Sequence, residues 1–385
     1  MARPGSDTEE VKSLFYTFIE LLLSFKVINT AFHRNWNTRL FAECFYDLQG
    51  IIDTNPDNLD VLDAFTRLTL DGLGNALFGV HFRALKDQDN PLVITYRNLM
   101  NGNNPLFFIL PMLDKLPYSK RHLVYHHLDE FDNMLFHLIF ERRRELEKSM
   151  EIDRRKADLL TLMLLANNEE ENSQMKLSER EVRDNLILFF IAGNDTTASA
   201  LVTIVYYLAL HPEYQDKSRA EVFSAISDEI PTFEEQAQLA YLANIIREAL
   251  RLVPPVVMLG ERKAVRNYQL GEYMIPRGST VQVHIWGMHR DAAVWGEDVD
   301  VFRPERWEEG DRKQLESHFW PFSIGARNCV GLGMSMVEMK VIISMLLRQY
   351  RWELAADSAG RDGLPSLMGT FITHIMGIRI KFKRI

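Results

Sequence analysis

The sequence predicts a mainly α-helical protein with a small β portion in its C-terminal third. Apolar residues recur at helical spacing from residue 8 to about residue 253, with turn-rich stretches such as 54–58 between the helices. Beyond residue 253 the pattern changes to short strand-like runs at 268–270, 273–275, 279–283 and 378–382. We therefore expect an atypical N-terminal segment over 1–26 and one domain over 27–385, with a helical portion (27–253) and a mixed β portion (254–385).

Composition narrows the class of protein further. The 385 residues are 46% hydrophobic and 11% aromatic, which is enough to build a large core. A net charge of -9 without a dense Lys/Arg stripe argues against nucleic acid as a partner. The two cysteines, Cys44 and Cys329, provide no disulfide framework and are typical of a reducing compartment.

Two segments bear on membranes and on domain boundaries. The apolar run Leu14–Phe25 contains Glu20 and is well short of the roughly 20 residues that cross a bilayer, so we expect a buried or amphipathic helix. The first residues are polar and acidic, which is unlike a signal peptide. The polar run 167–174 has the composition of an exposed connector, and we interpret it as a surface loop.

The most informative segment surrounds Cys329 and has the pattern F-x-x-G-x-R-x-C-x-G. A thiolate that ligates haem iron must be deprotonated and held in a loop that can turn beneath a porphyrin. Gly325 and Gly331 permit close approach, Phe322 can cover the sulfur, and Arg327 can reach an anionic propionate. The alternative is an ordinary buried thiol beside a turn.

The residues after this loop predict a helix, because apolar side chains recur at helical spacing from Leu332 to Leu346. Cys329 would then lie just ahead of a helix N-terminus. That position is expected to lower the pKa of its thiol.

A second motif, Ala192-Gly193-Asn194-Asp195-Thr196-Thr197, places small and polar residues inside an apolar helix. Glycine in a helix interior lowers helix stability by about 1 kcal/mol relative to alanine, so its presence here calls for an explanation. A pocket for O₂ supplies one: Ala192 and Gly193 would leave room, while Thr196 and Asp195 would relay protons. The alternative is a kink without chemistry.

Together these motifs resemble those of the cytochrome P450 family, in its eukaryotic and fungal-like form. The resemblance covers roughly 27–385 and implies that Cys329 is the axial thiolate ligand of the iron in haem b, iron protoporphyrin IX. It implies a monooxygenase that inserts one oxygen atom from O₂ into a small apolar organic substrate. Electrons would come from NADPH through a flavoprotein reductase.

The E-x-x-R pair Glu248 and Arg251 is expected to be buried, because its flanking residues leave no wide polar face. By resemblance, Arg306 in the run Phe302–Trp307 completes a structural network with this pair. The turn at His289-Arg290-Asp291, with Trp295 beyond it, also matches a structural element of the family.

The resemblance also implies a substrate pocket and a second propionate contact. Arg262 would meet a propionate together with Arg327. The pocket would be lined by Phe189, Ala192, Gly193, Val257, Met258, Met368 and Phe371.

Ahead of Thr196 the chain is on the order of a hundred residues shorter than a typical eukaryotic member. The usual anchor, first helices and first sheet strands are not recognisable, which leaves open a truncated, non-catalytic fragment that binds haem poorly. A haem-thiolate isomerase or dehydratase is a further alternative, which the intact Asp195–Thr196 pair disfavours. The location implied by resemblance is the surface of the endoplasmic reticulum; without an anchor it would be the cytosol.

Overall fold

The computed structural model describes residues 36–87, 89–90, 93–94, 120–148, 153, 157–169, 176–325, 328–361, 363–365, 367–368 and 372–385. Segment 1–26, Arg327, Phe371 and the side chain of Met368 lie outside the described residues.

Helices make up most of the described structure, as the sequence predicts. The long helices are α1 (Arg39–Thr54), α2 (Val61–Leu73), α3 (Lys120–Lys148), α4 (Leu159–Glu169), α5 (Glu179–Leu210), α6 (Pro212–Ala225) and α7 (Ala240–Leu252). The helices that follow are α8 (Ile285–Met288), α9 (Ala292–Trp295), α10 (Arg306–Glu309), α11 (Arg312–Ser317) and the long α12 (Leu332–Gln349). A π-helical turn, Gly74–Phe78, extends α2, and a 3₁₀ turn, Glu235–Gln238, precedes α7.

The strands are short and antiparallel. They are β1 (Leu59–Asp60), β2 (Arg262–Lys263), β3 (Tyr268–Leu270), β4 (Tyr273–Ile275), β5 (Thr280–Val281), β6 (Tyr350–Leu354), β7 (Leu367–Met368), β8 (His374–Ile375) and β9 (Arg379–Arg384). β9 lies between β1 and β6, while β2 pairs with β5, β3 with β4, and β7 with β8.

Helix α5 lies at the centre of the fold and packs against α2, α3, α7 and α12. Its start is fixed by a capping box, in which the Ser178 side chain accepts from the Glu181 N–H and Glu181 accepts from the Ser178 N–H. By length and composition α5 is the one described helix that could cross a bilayer, and 72% of its most apolar stretch is buried inside the protein. That burial is what a central core helix shows.

Sequence patterns located β3, β4, β5 and β9 but missed β1, β2, β6 and the β7–β8 pair. β6 follows α12 without a turn, although its residues alternate between buried and exposed. The interpretation of 167–174 as an exposed connector was wrong at its first residue. Asn167 is buried in the last turn of α4, and its side-chain amide exchanges two hydrogen bonds with the backbone of Leu177, at 2.6 and 2.9 Å.

A buried acid lies where α12 meets α2. Glu338 is 1% exposed, and a Cβ built on Gly72 would lie 2.8 Å from its Oε1 atom. Burial raises the pKa of the Glu338 carboxyl to about 8. The folded protein therefore keeps a proton on Glu338 at neutral pH, whereas the unfolded chain releases it above about pH 4.3.

Because the folded pKa lies above the unfolded one, the Glu338 proton stabilises the fold at low pH, and this contribution is lost as pH rises towards 8. We expect Glu338→Gln to remove it, so that the difference in unfolding free energy between variant and wild type changes by up to about 1.4 kcal/mol per pH unit. Urea denaturation of both proteins at pH 5, 6.5 and 8 measures this difference. Parallel stability curves would contradict the assignment.

Candidate active site

The loop that carries Cys329 is held in a tight turn by its own backbone. The Cys329 N–H donates to the Phe322 carbonyl at 2.8 Å, and the Asn328 N–H donates to the Gly325 carbonyl at 3.1 Å. Two residues adopt left-handed backbone angles, Ser323 with φ 61° and Gly325 with φ 80°. The second angle explains the glycine, since a side chain there would strain the turn.

The Cys329 thiol lies at the N-terminus of α12, as the sequence predicts. The N–H groups of Gly331 and Leu332 bond to the sulfur and lower its pKa, but burial raises the pKa by more. The expectation of a lowered pKa was therefore wrong. The pKa of the Cys329 thiol is raised, because desolvation of the thiolate outweighs the two hydrogen bonds. The same residue is accessible to solvent.

The surface around the sulfur suits a flat apolar group. A Cβ built on Gly325 or Gly333 would meet no atom within 4 Å, and one on Gly331 would meet only the Cys329 sulfur, at 3.8 Å. Ile324 and Leu332 are 55% and 39% exposed beside it. A thiol with two N–H donors, next to small and apolar residues, fits a haem plane ligated through sulfur. Arg327, the predicted propionate contact, lies outside the described residues.

The polar motif of α5 lies in an unbroken helix. The Thr196 hydroxyl donates to the Ala192 carbonyl at 2.8 Å, one turn earlier, so it does not break the helix. Ala192, Gly193 and Thr196 are half-buried, whereas Asp195 is buried.

Gly193 has a packing reason in addition to the predicted one. A Cβ at this position would lie 3.1 Å from Leu73, so glycine lets α5 approach α2 closely. The prediction that Gly193 leaves room for O₂ stays a prediction.

Two partners of this motif were missed by sequence reasoning. Buried Asn194 accepts a hydrogen bond from the Thr69 hydroxyl at 2.6 Å, which ties α5 to α2. His374 of β8 places its Nε2 atom 4.0 Å from Oδ2 of Asp195. Asn194 occupies a position that the motif leaves unspecified, so the sequence did not single it out. His374 lies far from the motif in sequence, so no local pattern pointed to it.

The structure brings Glu248, Arg251 and Arg306 together in the interior. Arg251 contacts Glu248 through two bonds, at 2.7 and 3.0 Å, and both side chains are fully buried. Arg306 donates to Glu248 at 3.3 Å, and the Trp307 indole donates at 3.0 Å. The carboxylate thus has several donors, which a buried charge requires.

His289 connects this network to the cysteine loop. Arg251 donates to the His289 carbonyl at 3.0 Å, and the His289 Nδ1 atom lies 3.2 Å from the Arg251 carbonyl. Nδ1 must therefore carry the proton, which leaves Nε2 to accept from the Trp320 N–H at 3.0 Å. Burial lowers the pKa of His289 to about 3, so the ring stays neutral. Trp320 in turn accepts from Ser323 at the start of the loop.

The remaining predicted residues occupy different environments. Arg262 is exposed on β2, where it pairs with Val281 of β5. Val257 is half-buried and Met258 is 43% exposed, in a segment that bonds to residues 283–286. Phe189 is buried in α5. Their predicted contacts with a propionate or a substrate stay predictions.

Comparison with known proteins identifies the family. The family model described as "Cytochrome P450" matches residues 30–382. The chain is 30% identical over 302 residues to a cytochrome P450 of Panax ginseng, covering 77% of this chain and 57% of that protein. It is 30% identical over 357 residues to the 11-oxo-beta-amyrin 30-oxidase of Glycyrrhiza uralensis, covering 86% of this chain and 65% of that protein. A bifunctional cytochrome P450/NADPH–P450 reductase of Bacillus subtilis is 29% identical over 299 residues, covering 77% of this chain and 27% of that protein.

The chain belongs to the cytochrome P450 family, as its motifs indicated. It spans 57% and 65% of the length of the ginseng and Glycyrrhiza relatives. Membership implies haem as the cofactor, and the cysteine loop described above fits that group.

The buried network gives a stability prediction. Arg251→Leu leaves the Glu248 carboxylate without its main partner, and we expect a loss of about 3–5 kcal/mol in unfolding free energy. Arg312→Leu is the matched control. It breaks a pair with Glu316 in which the side chains are 66% and 51% exposed, and we expect a loss below about 0.5 kcal/mol. Urea denaturation measures both. Equal losses would contradict a special role for the buried pair.

The two N–H donors at the sulfur give a second prediction. Leu332 is the first residue of α12, where proline is compatible with a helix, so Leu332→Pro removes one N–H group from the thiol. We expect the pKa of the Cys329 thiol to rise by about 1 in the haem-free protein. The pH dependence of thiol alkylation in a Cys44→Ala background measures it. Leu332→Ala keeps the N–H and should leave the pKa unchanged; an equal rise in both variants would contradict the assignment.

Proposed function

We propose that this protein is a haem-thiolate monooxygenase acting on a small apolar organic substrate. One oxygen atom of O₂ enters the substrate and the other leaves as water, a reaction that consumes two electrons and two protons. The observation that carries the proposal is the Cys329 loop, in which two backbone N–H groups bond to the sulfur of an accessible cysteine beside exposed apolar side chains and glycines. The oxidase among the relatives supports the same reaction class.

The haem would be held by Cys329 from below and by the apolar side chains of the loop. When bound through a thiolate, haem supplies the activation of O₂. The N–H groups of Gly331 and Leu332 stabilise negative charge on the sulfur. Arg262 and Arg327 would pair with the propionates.

Helix α5 would provide the residues that handle protons. The bond from Thr196 to the Ala192 carbonyl fixes the direction of its hydroxyl hydrogen, and leaves the oxygen as an acceptor on the half-exposed face of the helix. Asp195, on the neighbouring buried face, would exchange protons with this region. An intact Asp195–Thr196 pair favours O₂ chemistry over an isomerase or a dehydratase.

The substrate would contact apolar side chains of this helix and of later segments of the chain. Val257 and Met258 are partly exposed, and an apolar side chain facing a pocket selects a ligand by its polarity and size. The other residues proposed to line the pocket are Phe189, Ala192, Gly193, Met368 and Phe371.

Electrons would come from NADPH through a flavoprotein reductase. The fused P450 and NADPH–P450 reductase among the relatives supports this choice of partner. The proposed location is intracellular, at the surface of the endoplasmic reticulum or in the cytosol.

The absorption spectrum of the reduced, CO-bound protein tests the proposal. We expect a Soret band at the far-red position of thiolate-ligated haem, lost in Cys329→Ser and retained in Cys44→Ala, the matched control at the other cysteine. Turnover with NADPH, a reductase and apolar test substrates would follow. An imidazole-like band or no uptake of haem would contradict the proposal and favour the non-catalytic fragment.

A further inference from the structure

The hairpin of β7 and β8 is fixed against the middle of α5 and against the proposed pocket wall. The Ser199 hydroxyl donates to the Thr373 carbonyl at 2.5 Å, and the Thr373 N–H donates to the Pro255 carbonyl at 2.7 Å. The residue after Thr373 is His374, which pairs with Met368 across the hairpin. The backbone of His374 is therefore held from two directions.

The His374 side chain faces Asp195. Asp195 and Ser199 are four residues apart in α5 and lie on the same face of the helix, the one that contacts the hairpin. Nε2 of His374 lies 4.0 Å from Oδ2 of Asp195, and the two side chains are 19% and 10% exposed. At this distance in a partly desolvated site, the negative charge of the carboxylate favours the protonated form of the imidazole.

Burial lowers the pKa of His374, and the Asp195 carboxylate raises it by a smaller amount. The segment 254–259 and strand β7 carry no titratable side chains, so Asp195 is the acid that faces the ring from the described elements packed on the hairpin. Among the described residues, none bonds to the buried Nδ1 atom of His374. The ring thus directs one nitrogen at Asp195 and leaves the other unpaired.

We propose that His374 is a positioning residue of Asp195, which keeps the carboxylate on the hairpin side of α5 for the oxygen reaction. This inference rests on the proposed monooxygenase function. Adjacent residues of a helix point about 100° apart, so the face of α5 that carries Asp195 and meets the hairpin lies next to the half-exposed face that carries Thr196. Without His374, the carboxylate loses its basic neighbour on the hairpin side.

A titration tests the pair independently of turnover. Protein labelled with ¹³C-histidine reports the pKa of each ring, and His374→Gln identifies the signal of His374. We expect Asp195→Asn to lower the pKa of His374 by about 1, since the neighbouring negative charge is removed. An unchanged pKa would overturn the proposal.

A second measurement tests the role in the reaction. In the haem-loaded protein with reductase, we expect His374→Leu to raise the share of electrons released as hydrogen peroxide about threefold or more, in line with a lost contribution of about 0.7 kcal/mol. His374→Gln, which keeps a donor, should restore part of the coupling. Leu367→Ala perturbs the same hairpin away from Asp195 and should behave as wild type. Equal peroxide release in His374→Leu and wild type would overturn the proposal.

The two failures are distinguishable. If the monooxygenase function is wrong, the wild type lacks the thiolate-type spectrum or turnover, and the positioning role of His374 is overturned with it. If only the inference is wrong, the wild type has both while His374→Leu couples electrons to product as well as wild type does.

Discussion

The buried carboxylate of Glu248 is the constraint on which the rest of the site depends. A charge in this interior must be paired, so the fold is stable only when Arg251 and Arg306 contact the carboxylate. Arg251 then binds the carbonyls of residues 289, 299 and 301, which fixes the course of the chain beyond the strands. The same contacts position His289. Its ring accepts a hydrogen bond from the Trp320 N–H, just before the cysteine loop. Cys329 is thus positioned by an ion pair that it does not touch.

The contact between α2 and α5 depends on small residues and a few polar pairs. Gly193 allows close approach to Leu73, and the Thr69 hydroxyl is satisfied by Asn194 within the same interface. On its other side, α2 uses Gly72 to make room for the neutral acid of α12. A methyl group added at Gly72 would contact the carboxyl group of Glu338, and one added at Gly193 would contact the Leu73 side chain, so either substitution would force these side chains to shift.

Local features of the site could be predicted from the sequence. The glycines of the loop predicted its tight turn, the apolar spacing after Gly331 predicted α12, and the absence of a polar face around Glu248 predicted burial. Each of these signals depends on residues close together in the chain.

Features that depend on the tertiary structure could not be predicted. The net shift of the Cys329 pKa depends on how much protein surrounds the sulfur, which local spacing does not determine. Asn194 bonds to Thr69 on another helix, and His374 lies next to Asp195 although its strand is far along the chain. β6 was missed because no turn residue separates it from α12.

Thr373 connects two parts of the fold that are distant in sequence. Its N–H donates to the Pro255 carbonyl, and its carbonyl accepts from the Ser199 hydroxyl of the central helix. In the proposed site, a ligand that displaced the backbone at Pro255 would also displace the residue next to His374, because the two are joined through the single peptide group of Thr373.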